Sequence, residues 1–389
     1  MKGIIKALSV ITAVIAAVTI IPVSSTAATK KVKVAGVSIS ASAKQVCFVR
    51  GKKDDPISQY LAAEYAPEFS RYYYVDYDTA VNLKEVAEKL PELQKLVVVS
   101  SEIKNPKYVS KMENLVQLGL HGCKNTEDLS FLKGAENLKK LWYGHSKCED
   151  ISAVASLKNL NELSIRPSLT MSDISAVSKL TKLVTLDLAG AFSDITPVSK
   201  LSRLKNLSLE SGSVKDITSL EKLKKLESLS LAGMREASGK TLTKMKLKNL
   251  RLEHVGWRIM AYLEYMPTVE NLELYNNGHL GYVYLENAGK IGGLKSLTID
   301  DARLSKCDFV SGLTELESLT LTNNKIADFS ALKSLKKLKK LNLYGNYGND
   351  YSALLKLTWL EELDVRKCGV PADFAKKYRK VNPECEIKI

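Results

Sequence analysis

Residues 180–209 read LTKLVTLDLAGAFSDITPVSKLSRLKNLSL. Leu183, Leu186 and Leu188 form an L-x-x-L-x-L ladder, Asp194-Ile195-Thr196-Pro197-Val198 follows as a turn, and Leu201 leads into the same ladder from Leu204. Alternate residues of an extended x-L-x-L-x segment point to opposite sides, so each leucine pair faces inward while its neighbours face solvent. The aspartate accepts backbone N–H bonds and opens a short helical turn. The apolar residue four positions after it returns to the core.

The unit repeats in both directions. Ladder starts fall at Leu93, Leu115, Leu138, Leu160, Leu183, Leu204, Leu226, Leu247, Val269, Leu294, Leu316, Leu338 and Leu360, spaced by 22, 23, 22, 23, 21, 22, 21, 22, 25, 22, 22 and 22 residues. The Asp turn recurs in the same period at Asp128, Asp150, Asp173, Asp194, Asp216, Asp328 and Asp350. A fixed period of this length predicts an α/β repeat solenoid, because no unit buries its apolar edge alone while stacked neighbours form one continuous core. Thirteen parallel strands about 4.8 Å apart give a concave sheet roughly 60 Å long, with short helical or 3-10 turns on the convex side.

These residues resemble the leucine-rich repeat family, specifically the 22-residue internalin-like subclass of secreted bacterial proteins, over about residues 71–369. The resemblance implies a horseshoe-like arc with terminal caps and a non-catalytic inner face that binds a protein ligand, such as a host or cell-surface protein. The family usually carries Asn, sometimes Cys, eight residues after each ladder start. Here Asn277, Asn324 and Asn346 keep Asn and Cys123 and Cys368 are the Cys variant; Ser101, Ser146, Ser168, Ala191, Gly212, Met234, Val255 and Ala302 depart from it. An incomplete ladder leaves turn backbone to other partners or water, so a less uniform arc is expected.

Residues 1–28 read as a secretory signal peptide. Lys2 and Lys6 precede an apolar run from Leu8 to Ile21, and Ser25-Thr26-Ala27-Ala28 offers small residues for cleavage. Left uncleaved, the run is barely long enough to anchor the chain in a membrane. Residues 29–92 then read as an N-terminal cap: one or two strands between Val32 and Phe48, a helix opened by Asp55-Pro56 and running to Tyr65, an aromatic strand at 72–77 and a helix at 79–90. Residues 93–369 form the array, and 370–389 a C-terminal cap whose end, Glu386-Ile387-Lys388-Ile389, carries no wall-sorting tail.

The 389 residues carry a formal charge of +14, placed largely on outer turns at Lys222, Lys224, Lys225, Lys333, Lys336, Lys337, Lys339 and Lys340. Such runs usually form a solvated face; the functional alternative is attraction to an anionic wall polymer. Nucleic acid is not an expected partner of an exported chain without basic-aromatic interleaving. Cys123, Cys148, Cys307 and Cys368 fall on core-facing registers, where a thiol acts as a small hydrophobe. Cys368 with Cys385 is the candidate disulfide that would staple the C-terminal end.

Solvent-facing strand positions lie two, four and six residues after each ladder start. They hold six basic residues (Lys95, Lys140, Arg166, Arg251, Lys340, Arg366) against eight acidic ones (Glu162, Asp187, Glu210, Glu253, Glu273, Asp300, Glu362, Asp364), so the concave face is about neutral to acidic although the chain is basic. Two clusters are candidate partner-binding sites. Trp142 lies beside His121 and Arg166, the composition of an interface anchor. Farther along, Glu253, Glu273, Asp300 and Asp301 surround Tyr275, with Arg251 and Tyr344 on the same face; ordinary surface is the alternative for both.

Residues 234–307 lose the Asp turn and carry three extra residues between Gly278 and Gly293, with Trp257 and His279 in a register usually held by Ile, Leu or Val. Core filling is the reading for Trp257; an added binding lobe is the alternative for the segment. His121-x-Cys123 and His145-x-x-Cys148, one repeat apart, suggest zinc, but the strand register sends the donors to opposite sides of the sheet, and no cofactor is expected. No serine elbow, zinc-protease helix or phosphate loop occurs. Concave carboxylates acting as a glycosidase pair would need a pocket that a flat ladder does not provide.

Overall fold

The computed structural model describes residues 30–167, 171–348 and 351–389. The candidate signal peptide, Ser168 and Asp350 lie outside the described residues. Thirteen strands, from Lys95–Val99 to Glu362–Asp364, each begin two residues after a ladder start. All pair in parallel without register slip. Leu163, Leu186, Leu207, Leu229, Leu250, Leu272, Leu297, Leu319, Leu341 and Leu363 stand opposite one another across successive strands. These leucines are at most 2 % exposed. Each therefore contributes about 1.5–3 kcal/mol of apolar burial to one continuous core.

The turns form as their sequence dictates. Asp194 accepts the Thr196 N–H at 2.8 Å and its hydroxyl at 2.9 Å, opening the 3-10 turn Thr196–Lys200. Asp128, Asp150, Asp173, Asp216 and Asp328 accept the corresponding N–H in the same way. Four residues on, Leu132, Val154, Val177, Val198, Leu220 and Leu332 are buried.

Three strands, rather than one or two, occupy the N-terminal segment. Lys31–Val34 and Val37–Ser40 form an antiparallel hairpin, and Gln45–Arg50 joins the main sheet in parallel beside Lys95–Val99. Tyr73–Val75 pairs on its far side, and Glu386–Lys388 extends the opposite end, giving sixteen strands in one sheet. Asp55 caps the helix Pro56–Tyr65 by accepting from Ile57 and Ser58 N–H groups. The second expected helix is shorter, Leu83–Lys89, because residues 81 and 82 are taken by a strand paired with Ile103–Lys104.

Two expectations are corrected. Cys368 and Cys385 form no disulfide; all six cysteines are free and buried. The Cys368 thiol is engaged where the family carries Asn, donating to the Leu343 carbonyl at 3.0 Å. Trp257 does not fill the core: it is 50 % exposed. Without the Asp cap, the outer turn becomes the α-helical turn Trp257–Met260, which shifts the inward register so that Ile259 and Met260 take the core positions. Trp257 lies outside against Arg258 and Tyr284. The three extra residues of the next repeat are absorbed by Tyr282–Leu285 and the 3-10 turn Glu286–Lys290. The side chain of His279 lies outside the described set.

Candidate recognition face

The apolar residues at the second and fourth positions of each strand enter the core, so the intervening side chains form straight rows on the concave face. One row runs Cys47, Val97, Gly119, Trp142, Ser164, Asp187, Ser208, Ser230, Arg251, Glu273, Thr298. Its neighbour runs Val49, Val99, His121, Gly144, Arg166 and, farther on, Glu210, Ala232, Glu253, Tyr275, Asp300. The first members of both rows are apolar. A strand apolar on both faces, as in Leu96-Val97-Val98-Val99, must be covered on both faces.

The helix Pro56–Tyr65 supplies that cover. Ala62, Ala66 and Phe69 pack with Cys47, Val49, Val97 and Val99 in a cluster separate from the array core, with Trp142 against its margin. His121, expected to face solvent, lies beneath the Tyr65 ring, stacked at 4.7 Å, and its Nε2 is buried without a hydrogen-bond partner. Burial, with His145 nearby, pushes the His121 imidazole down to about 3. Tyr65 Oη and His145 Nε2 share a hydrogen bond of 3.0 Å. Gly119 leaves room here, since a Cβ would meet Val97 Cγ2 at 2.9 Å. Trp142 is half-buried, its Nε1 donating to Glu162 at 2.7 Å under Lys140. The expected cluster of Trp142, His121 and Arg166 is thus partly occupied by the chain itself. Sequence reasoning places Tyr65 only at the end of a helix and weighs His145 only as a zinc donor, although the valine run beneath signals a cover.

Beyond this cover the face is open and its charges are interlocked. Arg166 bonds to Asp187 at 2.6 Å and also to Glu210, while Ser164 donates to Asp187 at 2.8 Å. Arg251, expected as one surface cation among several carboxylates, is 4 % exposed. It pairs with Glu253 at 3.0 Å and Glu273 at 3.1 Å and lies 3.9 Å from the Tyr275 ring centre. Burial and the Glu273 charge push the Tyr275 phenol up to about 12. Asp300 accepts from Thr322 Oγ1 and from Asn323 Nδ2. The Tyr275 cluster is therefore not a free acidic patch: a guanidinium sits at its centre. At the far end Arg366 pairs with Asp364 at 2.6 Å, and Arg366 and Lys367 flank Tyr344 at 5.7 and 5.1 Å.

The four donors considered for zinc are divided. Cys123 donates to the Val98 carbonyl at 3.3 Å on the core side, and Cys148 is buried, whereas His121 and His145 meet Tyr65 on the concave side. Outer lysines are partly compensated: Lys337 pairs with Glu315 at 2.6 Å, Lys339 with Glu317 at 3.6 Å, and Lys336 lies over Trp359. Lys340 instead opens a strand and pairs with Glu362 at 2.6 Å.

No family model matches the sequence, and no curated protein matches it. Among solved structures, the chain is similar to an internalin from Listeria monocytogenes, with 25% identity and a TM-score of 0.56 over 80% of this chain and 89% of that one. It is also similar to a leucine-rich repeat protein from Leptospira interrogans, with 22% identity and a TM-score of 0.54 over 77% and 91% of the two chains. Among the described residues no helix is long and apolar enough to cross a membrane.

Proposed function

This chain is a leucine-rich repeat protein of internalin-like fold, and we propose that it is an exported, non-catalytic recognition protein whose open concave face, from Arg166 to Arg366, binds a protein partner. The observation that carries this reading is the preorganised row of paired charges and aromatics on neighbouring strands. Arg166 is held by Asp187 and Glu210, and Arg251 is held between Glu253 and Glu273 over Tyr275. Side chains already fixed in place lose little freedom on binding, which is how a rigid face converts contact into affinity. Catalysis is not part of the reading, because Glu253 and Glu273 are both tied to one guanidinium rather than set apart as an acid and a nucleophile or base. Export rests on the leader at residues 1–28.

The test is a pull-down with the mature chain, offered host-type surface proteins and bacterial wall material and washed at low and then high salt. A discrete protein retained through high salt, and lost with Glu273→Lys plus Tyr275→Ala, supports the inner face. Retention on wall polymer that falls with salt and ignores those substitutions overturns it and assigns binding to the outer lysines. That second reading is favoured by the outer lysines without a carboxylate partner among the described residues, such as Lys222, Lys224 and Lys225.

A further inference from the structure

We propose that residues 56–69 form an acid-releasable cover over the N-terminal end of the concave sheet, and that its release adds Val97, Val99 and Trp142 to the surface open to a partner. This stands on the packing of the segment and the ionisable groups that fasten it, whatever the inner face binds.

The cover is lightly built. Its fully buried side chains are small, Ser58, Ala62 and Ala66, with Phe69 the one large buried anchor, and Leu61 and Tyr65 pack against the cluster only partly buried. The apolar cluster beneath it is separate from the core of the array, so the cover opens at lower cost than any repeat. Its fastenings are titratable. Tyr65 stacks on His121 and bonds to His145, and Glu68 accepts from Gln117 Nε2 at 2.8 Å. Tyr60 and Glu64 on the helix face Tyr65 electrostatically; on the sheet side His145 faces His121, Arg166 faces His145, and Lys95 and Lys140 face Glu68.

A proton on His121 would sit beside one further basic group, His145, itself next to Arg166, on a ring whose Nε2 is buried with no hydrogen-bond partner among the described residues. In the closed form the imidazole titrates at about 3, against an ordinary 6.5 once it is uncovered. Below pH 6.5 the open form therefore binds more protons than the closed one, and acid favours release. Glu64 and Glu68 pull the other way, since burial raises both carboxyls and the closed form holds their protons; His121 is displaced the furthest of the three. From pH 7.5 to 5.0, His121 alone shifts the opening equilibrium about 30-fold.

Cys47 lies under the cover and is 0 % exposed, whereas Cys123, Cys148, Cys307 and Cys368 lie in the array core. The whole chain is labelled with 4,4′-dithiodipyridine at pH 7.5 and 5.0, with rates normalised to free cysteine and sites assigned by peptide mass. Cys47 labelling should rise at least about 5-fold at pH 5.0 while the four core cysteines stay protected. The rise should vanish in His121→Phe plus His145→Asn, which keeps the stacked ring and places Asn at a backbone φ of 55°. It should steepen in Glu68→Gln. Should the double variant label its core cysteines already at pH 7.5, His121→Phe alone serves and should lose most of the rise. A smaller rise in the unaltered chain, the same rise without the imidazoles, or core cysteines labelling together with Cys47 overturns the proposal.

Discussion

Replacing Arg251 by alanine would strip the centre from the charge lattice on the concave face. Its side chain is 5 % exposed and bonds Glu253 and Glu273, which are themselves 17 % and 25 % exposed. Removing one partner of a buried pair costs about 3–5 kcal/mol, because the remaining charge is left desolvated and unpaired. Both carboxylates here keep some contact with water, which lowers the expected cost to about 2–3 kcal/mol, including the lost stacking on Tyr275. The exposed pair Lys337–Glu315, at 59 % and 51 %, is the control, expected to be worth about 0–1 kcal/mol. Repeat units couple chiefly to their neighbours, so the loss should be local. Native-state amide exchange in strands Ser228–Ala232, Asn249–Glu253 and Asn271–Tyr275 should quicken about 30- to 150-fold, and in Lys337→Ala by only a few-fold in its own repeat. Adding Glu253→Gln and Glu273→Gln to the alanine variant removes the orphaned charges and should recover at least half of the loss. Arg251→Ala indistinguishable from Lys337→Ala, or no recovery in the triple variant, would refute the reasoning.

Leu207, 2 % exposed, becomes an unpaired carboxylate in the core on Leu207→Asp, and the array should lose its cooperative unfolding; an unchanged melting curve would contradict the strand register. Asn324 accepts from the Ala302 and Leu304 N–H groups, both at 3.1 Å, and donates to the Ile299 and Thr322 carbonyls, both at 2.9 Å. Asn324→Ala orphans these groups and should cost about 2–4 kcal/mol, read as a lower denaturant midpoint. Trp257→Ser should cost less than about 1 kcal/mol on the same measurement, since half of the ring already meets water; a loss typical of a core tryptophan would restore the inward reading.

The strands were legible because one constraint, the inward leucine pair, recurs at every repeat, and each strand follows its ladder start by two residues. The Asp turns were legible for the same reason, since a short carboxylate two residues before a free N–H has one obvious partner. Trp257 was misplaced because counting from the ladder assumes the usual turn; a capless segment beginning at Gly256 closes as an α turn and moves the inward position by two residues. The cover over the first strands escaped detection because periodicity reveals a helix at 56–65 but not where it docks. Arg251 was placed on the right face, yet its burial depends on two carboxylates and a ring meeting it from its own and the next strand, a pairing that no single repeat encodes.

The unslipped register turns the concave face into a ruler. Rows of side chains cross it with one division per strand, about 4.8 Å apart. An α-helix laid along the arc advances about 5.4 Å per turn and so offers nearly one turn to each strand. The mismatch accumulates to half a division after roughly four strands, whereas an extended peptide, repeating its side-chain direction every 6.6–6.8 Å, falls out of step by the next strand. A helical partner would thus stay in phase over about four neighbouring repeats, and a longer contact would require it to bend with the arc or break.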